Sequence, residues 1–152
     1  MTPLFKKLNL GTHEKLLVLN APESFQLELD QLDDKIRVLT RATAKTRVEF
    51  AIGFASTETE LERVSTKLVQ SADGDAIVWL AYPKKSSKNY TCEFNRDAGW
   101  EVLGEGGFEG VRQVAIDEDW SALRFRRVEN IKSFTRRKSM AISKVGKTRA
   151  KK

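Results

Sequence analysis

The stretch IVWLAYPKKSSKNY (residues 77–90) opens with six residues, Ile77 to Tyr82, that show no polar alternation, then breaks at Pro83 into two lysines and two serines. A strand with one wet face alternates apolar and polar residues, whereas a strand covered on both faces reads as one apolar run. Residues 76–82 therefore belong inside a sheet that is layered on both sides. The lysines fall where that strand surfaces.

Working outward, KLLVLN (15–20), KIRVLT (35–40) and RVEFAIGF (47–54) read as three more strands of the same kind. Helical segments alternate with them. PLFKKLNLGTHE (3–14) suggests a short helix stopped near Gly11, where a residue without Cβ takes the left-handed cap. APESFQLELDQL (21–32) places Pro22 and Ser24 near a helix start and Phe25, Leu29 and Leu32 on one face. In the clearest helix, Thr57 and Glu60 form a T-x-x-E capping box ahead of a Leu61, Val64, Leu68 stripe, with Gly74 expected to end it.

Downstream, the spacing of Phe94, Ala98 and Val102 predicts a helix over residues 93–103, stopped by GEGG. VRQVAI and SALRFR, joined through DEDW, read as a hairpin in which Leu123 and Phe125 alternate with Arg124 and Arg126. The expected architecture is α/β: a mostly parallel sheet with helices on both faces and a C-terminal antiparallel β-hairpin. One link resists. About six residues, 41–46, join the second and third strands, fewer than the dozen or so that a parallel crossover usually takes.

The net charge of +6 suggests nucleic acid until it is divided along the chain. Residues 130–152 hold nine Lys or Arg and no acid, so residues 1–129 carry 18 basic against 21 acidic side chains. The expected organisation is one domain over 1–129 and a basic, flexible tail over 130–152. Lys132, Arg136, Arg137 and Lys138 would touch nucleic acid or an acidic partner without sequence preference, because cations release counterions from any phosphate backbone. No apolar run approaches the ~20 residues of a membrane span, and the N-terminus lacks an export signal, so a cytoplasmic protein is expected.

Catalytic chemistry is thinly represented. His13 is the single histidine and Cys92 the single cysteine, so a Ser-His-Asp triad, a zinc site with histidines and an intrachain disulfide cannot be assembled. A thiolate at Cys92 favoured by Lys84, Lys85 or Lys88 stands against an inert structural cysteine. Arg96 and Trp100, one helical turn apart, read as a stacked brace or as the flank of a ligand. No cofactor and no metal are expected.

LLVLNAPESF, VWLAYPKKSS, DAGWEVL and VRQVAIDEDWSALRFR together resemble an uncharacterised bacterial family, a domain of unknown function marked by a strand ending in PKK and a D-x-x-W-S-x-L-x-F hairpin. The resemblance covers roughly residues 3–127. It implies a fold only, a shortened Rossmann-like methyltransferase core whose last strands are a parallel strand and a reversed hairpin. S-adenosylmethionine on such a core needs glycines after the first strand and an acid after the second. This chain has NAPES and Arg41 there. A degenerate methyltransferase is therefore the alternative to a non-catalytic binding protein.

In an open α/β sheet, ligands sit past the carboxyl ends of the strands where strand order reverses. That edge should gather Asn20, Ser24, Ser56, Thr57, Lys84, Lys85, Ser86, Asp117 and Trp120, a set suited to an anionic small molecule. The structural alternative pairs Lys84 with Asp117 and uses Trp120 to lid the core.

Overall fold

The structure is a computed structural model and describes residues 2–94 and 100–130; the expected tail beyond Asn130 and the middle of the 93–103 helix lie outside the described residues. The order is α1 (Pro3–Lys7), β1 (Lys15–Leu19), α2 (Glu23–Asp30), β2 (Arg37–Leu39), β3 (Val48–Phe54), α3 (Glu58–Ser71) and β4 (Ala72–Pro83), followed by α4 (Glu101–Glu105), β5 (Phe108–Ala115) and β6 (Trp120–Arg127). The strands form one six-stranded sheet in the order β2-β1-β3-β4-β6-β5. β2, β1, β3 and β4 run parallel, and β6 is antiparallel to both β4 and β5. This is the expected parallel sheet with its terminal hairpin, and no helix among the described residues is long and apolar enough to cross a membrane.

The register explains the short second crossover. Leu39 is level with Leu17, and Leu17 with Ala51, so β2 ends only three residues above the start of β3 at Val48. The link must retreat ~10 Å along the strands and step ~10 Å sideways past β1. Eight residues, 40–47, reach up to ~26 Å, so no helix is required. The edge strand is parallel, and its brevity is what makes the link possible.

Alternate residues of the central strands feed two cores. Leu17, Leu19, Val78, Leu80, Tyr82 and Phe125 meet Leu61, Val64 and Leu68 of α3 and Leu103 of α4. Leu16, Val18, Ile52, Phe54, Trp79 and Ala122 meet Leu4 and Phe5 of α1 and Phe25 of α2. Helices thus cover both faces. Gly53 of β3 lets α3 approach, since a Cβ there would lie 2.2 Å from Val64 Cγ1.

Three local expectations are corrected. α1 ends at Lys7 with Leu8 as its cap, and Asn9 (φ 63°), two residues before Gly11, takes the left-handed position where glycine was expected, with Leu10 N–H donating to the Phe5 carbonyl at 3.0 Å. α3 stops at Ser71, and Gly74 (φ 58°) sits instead in an irregular stretch of β4, where the pairing steps from Ala72 to Ile77 while β3 advances only from Val48 to Phe50. The helix expected from residue 93 begins at Glu101, and Phe94 is buried by tertiary packing against Tyr82 and Trp100 rather than by helical periodicity.

Candidate functional site

The carboxyl ends of β1, β3 and β4 share one edge of the sheet, joined by the turn that enters β6 at Trp120. Strand order reverses between β1 and β3, which makes that edge the place to look for a ligand. The expected residues divide into two groups there.

The first group is wired into the start of α3. Asn20, in the left-handed region at φ 57°, donates from Nδ2 to the Phe54 carbonyl and to Glu60 Oε2, both at 2.9 Å. Glu60 Oε1 accepts from Ser56 N–H at 3.0 Å, Ser56 Oγ at 2.9 Å and Thr57 N–H at 3.3 Å, while Thr57 Oγ1 accepts from Glu60 N–H at 3.1 Å. Asn20, Ser56 and Thr57 thus spend their polar atoms on one carboxylate. Ser24 is exposed on α2 and stands apart from it.

The hydrogen bond from Asn20, with those from Ser56 and Thr57, pulls the Glu60 pKa from 4.5 down to about 2 against the opposing effect of burial. A carboxylate whose folded pKa is depressed stabilises the fold above its unfolded pKa and loses that contribution as pH falls through the folded value. Between pH 4.5 and about 2 the melting temperature should therefore fall more steeply in the parent than in Glu60→Gln. Parallel curves for the two proteins would show that the network carries no pH-linked stability.

The second group is the lysine loop. Lys84 N–H donates to the Asp119 carbonyl at 2.8 Å, and Ser87 Oγ donates to Asp119 Oδ1 at 2.8 Å. Asn89 Nδ2 reaches Asp119 Oδ2 at 3.2 Å, and Tyr90 N–H bonds Ser87 Oγ at 3.1 Å. Asp119 is thus the anchor of the loop, a role that sequence reading missed; its only signal was the acidic turn DEDW. Asp117 does not pair with Lys84 among the described residues. Its Oδ1 accepts from Asp119 N–H at 2.8 Å and Trp120 N–H at 2.9 Å, a local turn bond that competes for the same oxygen.

Trp120 is buried between Phe54 and Tyr90, with ring centroids 5.3 and 5.0 Å away, so it closes the core and presents no face to a ligand. Ser86 is exposed on the loop. Lys84 and Lys85 line a cleft of about 670 Å³ whose other walls include Tyr82, Ser87, Tyr90, Glu93 and Gln113. Neither lysine takes part in an ion pair among the described residues.

Cys92 borders the same cleft, but its thiol donates to the Phe94 carbonyl at 2.9 Å, and burial pushes its pKa up. Of the two readings of Cys92, the geometry supports the inert structural cysteine over the lysine-favoured thiolate. Trp100 is buried among Tyr82, Phe94 and Phe125, which makes it core; Arg96 and Asp97 lie outside the described residues. His13 stands 3.5 Å from Glu49, and no metal-binding cluster occurs among the described residues.

No family model and no curated protein matches this chain. Solved structures do. A SAM-dependent methyltransferase from Aquifex aeolicus aligns with a TM-score of 0.52 at 13% identity, covering 83% of this chain and 90% of that one. Magnesium protoporphyrin IX methyltransferase (ChlM) from Synechocystis PCC 6803, with bound SAM, aligns at 0.51 and 14% identity, over 82% and 74%. The pyocyanin biosynthetic protein PhzM aligns at 0.54 and 12% identity, and the chain spans about half of it: 82% of this chain against 53% of that one. The fold of this chain is the Rossmann-like fold of methyltransferases.

Proposed function

We propose that this protein is a non-catalytic member of the methyltransferase fold that binds an anionic small molecule in the Lys84–Lys85 cleft. One observation carries the reading: two cations, unpaired among the described residues, stand on a cleft of about 670 Å³ at the carboxyl edge of the sheet. A cavity of that size suits a small ligand, and tyrosines beside cations supply apolar walls with a few polar contacts. The fold by itself carries no reaction.

The likeness to methyltransferases supports a second reading, S-adenosylmethionine binding by a degenerate site. Two features weigh against it. Asn20, in place of a glycine, fills the turn after β1 and is held by Phe54 and Glu60, and Arg41 follows β2 where ribose hydroxyls call for an acid.

A thermal-shift screen of phosphosugars, nucleotides, carboxylates and S-adenosylmethionine separates the two. A ligand at 100 times its dissociation constant adds about 2.7 kcal/mol of stability. An anionic hit should weaken at least tenfold in Lys84→Gln/Lys85→Gln with no change in unliganded melting temperature. A response to S-adenosylmethionine alone favours the second reading, and a screen in which no anionic hit weakens on the lysine change refutes the first.

A further inference from the structure

The switch point itself carries a second cavity, separate from the lysine cleft. About 430 Å³ in volume, it is lined by Leu19 and Asn20 at the end of β1, by Arg41, Ala42 and Thr43 after β2, and by Arg63, Val64 and Lys67 of α3. Three of these residues are cations and none is an acid.

Arg41, Arg63 and Lys67 are all exposed, and none of them forms an ion pair among the described residues. Arg63 and Lys67 sit four apart on one helix face, an arrangement that disfavours the helix slightly. Arg41 comes to them from a different element, brought round by the short β2–β3 link. The nearby acids of α3 are Glu62, adjacent to Arg63, and Glu60, one turn away; neither lines the cavity, and Glu60 already accepts from Asn20, Ser56 and Thr57. The lining itself thus carries three positive charges and no negative one. Leu19, Ala42 and Val64 supply an apolar floor beneath it.

We infer that this cavity is a binding site for a small organic phosphate carrying a diphosphate, with the guanidinium groups of Arg41 and Arg63 holding the phosphoryl oxygens and Lys67 adding a point charge. Guanidinium forks match phosphate oxygens two at a time, whereas an ammonium acts as a single charge. The same field repels a sulfonium cation, so the site selects against S-adenosylmethionine. The inference is independent of the lysine cleft, because the two cavities share no lining residue.

The test is titration calorimetry of the full chain with inorganic pyrophosphate and with adenosine diphosphate. Both should bind saturably at one site, the nucleotide more tightly because its body adds contact with the apolar floor. Arg41→Gln and Arg63→Gln should each weaken both probes at least tenfold, and Lys67→Gln a few-fold. Lys84→Gln/Lys85→Gln should leave them unchanged. Arg41, Arg63, Lys67 and Lys85 are exposed and Lys84 is half-buried without an ion pair among the described residues, so far-UV dichroism and melting temperature should match the parent in every variant. Absence of saturable binding at millimolar probe overturns the inference. So does a loss confined to the lysine-loop variant, which would put the diphosphate in the other cleft. Displacement of pyrophosphate by S-adenosylmethionine would also overturn it.

Discussion

Trp79→Ala should destabilise the protein by about 3–5 kcal/mol, the range for truncating a fully buried large aromatic. Trp79 is 0% exposed at the middle of β4, within the core that α1 and α2 cover. Its Nε1 donates at 2.9 Å to the carbonyl of Leu8, the residue that caps α1. Truncation therefore opens a cavity in the sheet layer and leaves a buried carbonyl without its donor. Trp79→Phe separates the two effects, because it retains most of the ring volume and removes only the donor; a loss of about 1–3 kcal/mol is expected from the unsatisfied carbonyl. Urea unfolding followed by circular dichroism measures both, free of the missing tryptophan signal. A Trp79→Ala midpoint close to the parent's would show that α1 does not dock on β4.

Gly53→Ala is the second large effect, and it comes from adding an atom. The new Cβ would lie 2.2 Å from Val64 Cγ1 and 3.3 Å from Leu68 Cδ1. Valine is stiff about χ1 and cannot swing aside cheaply. Its helix is fixed at one end by the Thr57–Glu60 capping box and along its length by Leu61 and Leu68. The helix must move from the sheet as a body, at a cost of about 1–3 kcal/mol. Pairing the change with Val64→Ala makes room for the methyl, so the double variant should be more stable than the sum of the single losses implies, by at least about 1 kcal/mol. Strict additivity would mean that the clash is relieved elsewhere.

The sequence was legible where one element decides the matter alone. The unalternating run 76–82 is a central strand, Thr57 and Glu60 do cap α3, and Leu123 and Phe125 do face the core opposite to Arg124 and Arg126. Reading failed where two distant segments decide together. Phe94 looked helical through its spacing from Ala98 and Val102, yet its burial comes from Tyr82 and Trp100. Asp119 looked like any turn acid, because its bonds to Ser87 and Asn89 span about 30 residues. Arg41, Arg63 and Lys67 meet at one cavity only because β1 lies between β2 and β3, an order that no local pattern encodes. In the sequence Arg41 stands out by the acid it displaces; its charge matters only where the fold brings it to Arg63 and Lys67.

The strand order also sets a timetable for synthesis. Among the described residues β6 is the last strand made, yet it lies between β4 and β5. From the emergence of Pro83 until Arg127 follows it, one side of β4, the strand with the longest apolar run in the sheet, has no hydrogen-bonding neighbour. At ~5–20 residues per second that interval lasts roughly 2–9 s. An unpaired apolar edge is a template for other chains, so a nascent polypeptide halted within β5 is in greater danger of aggregating than one halted before β4 begins. Chain elongation through the hairpin is thus the vulnerable moment in the life of this molecule, and chaperone demand should concentrate there.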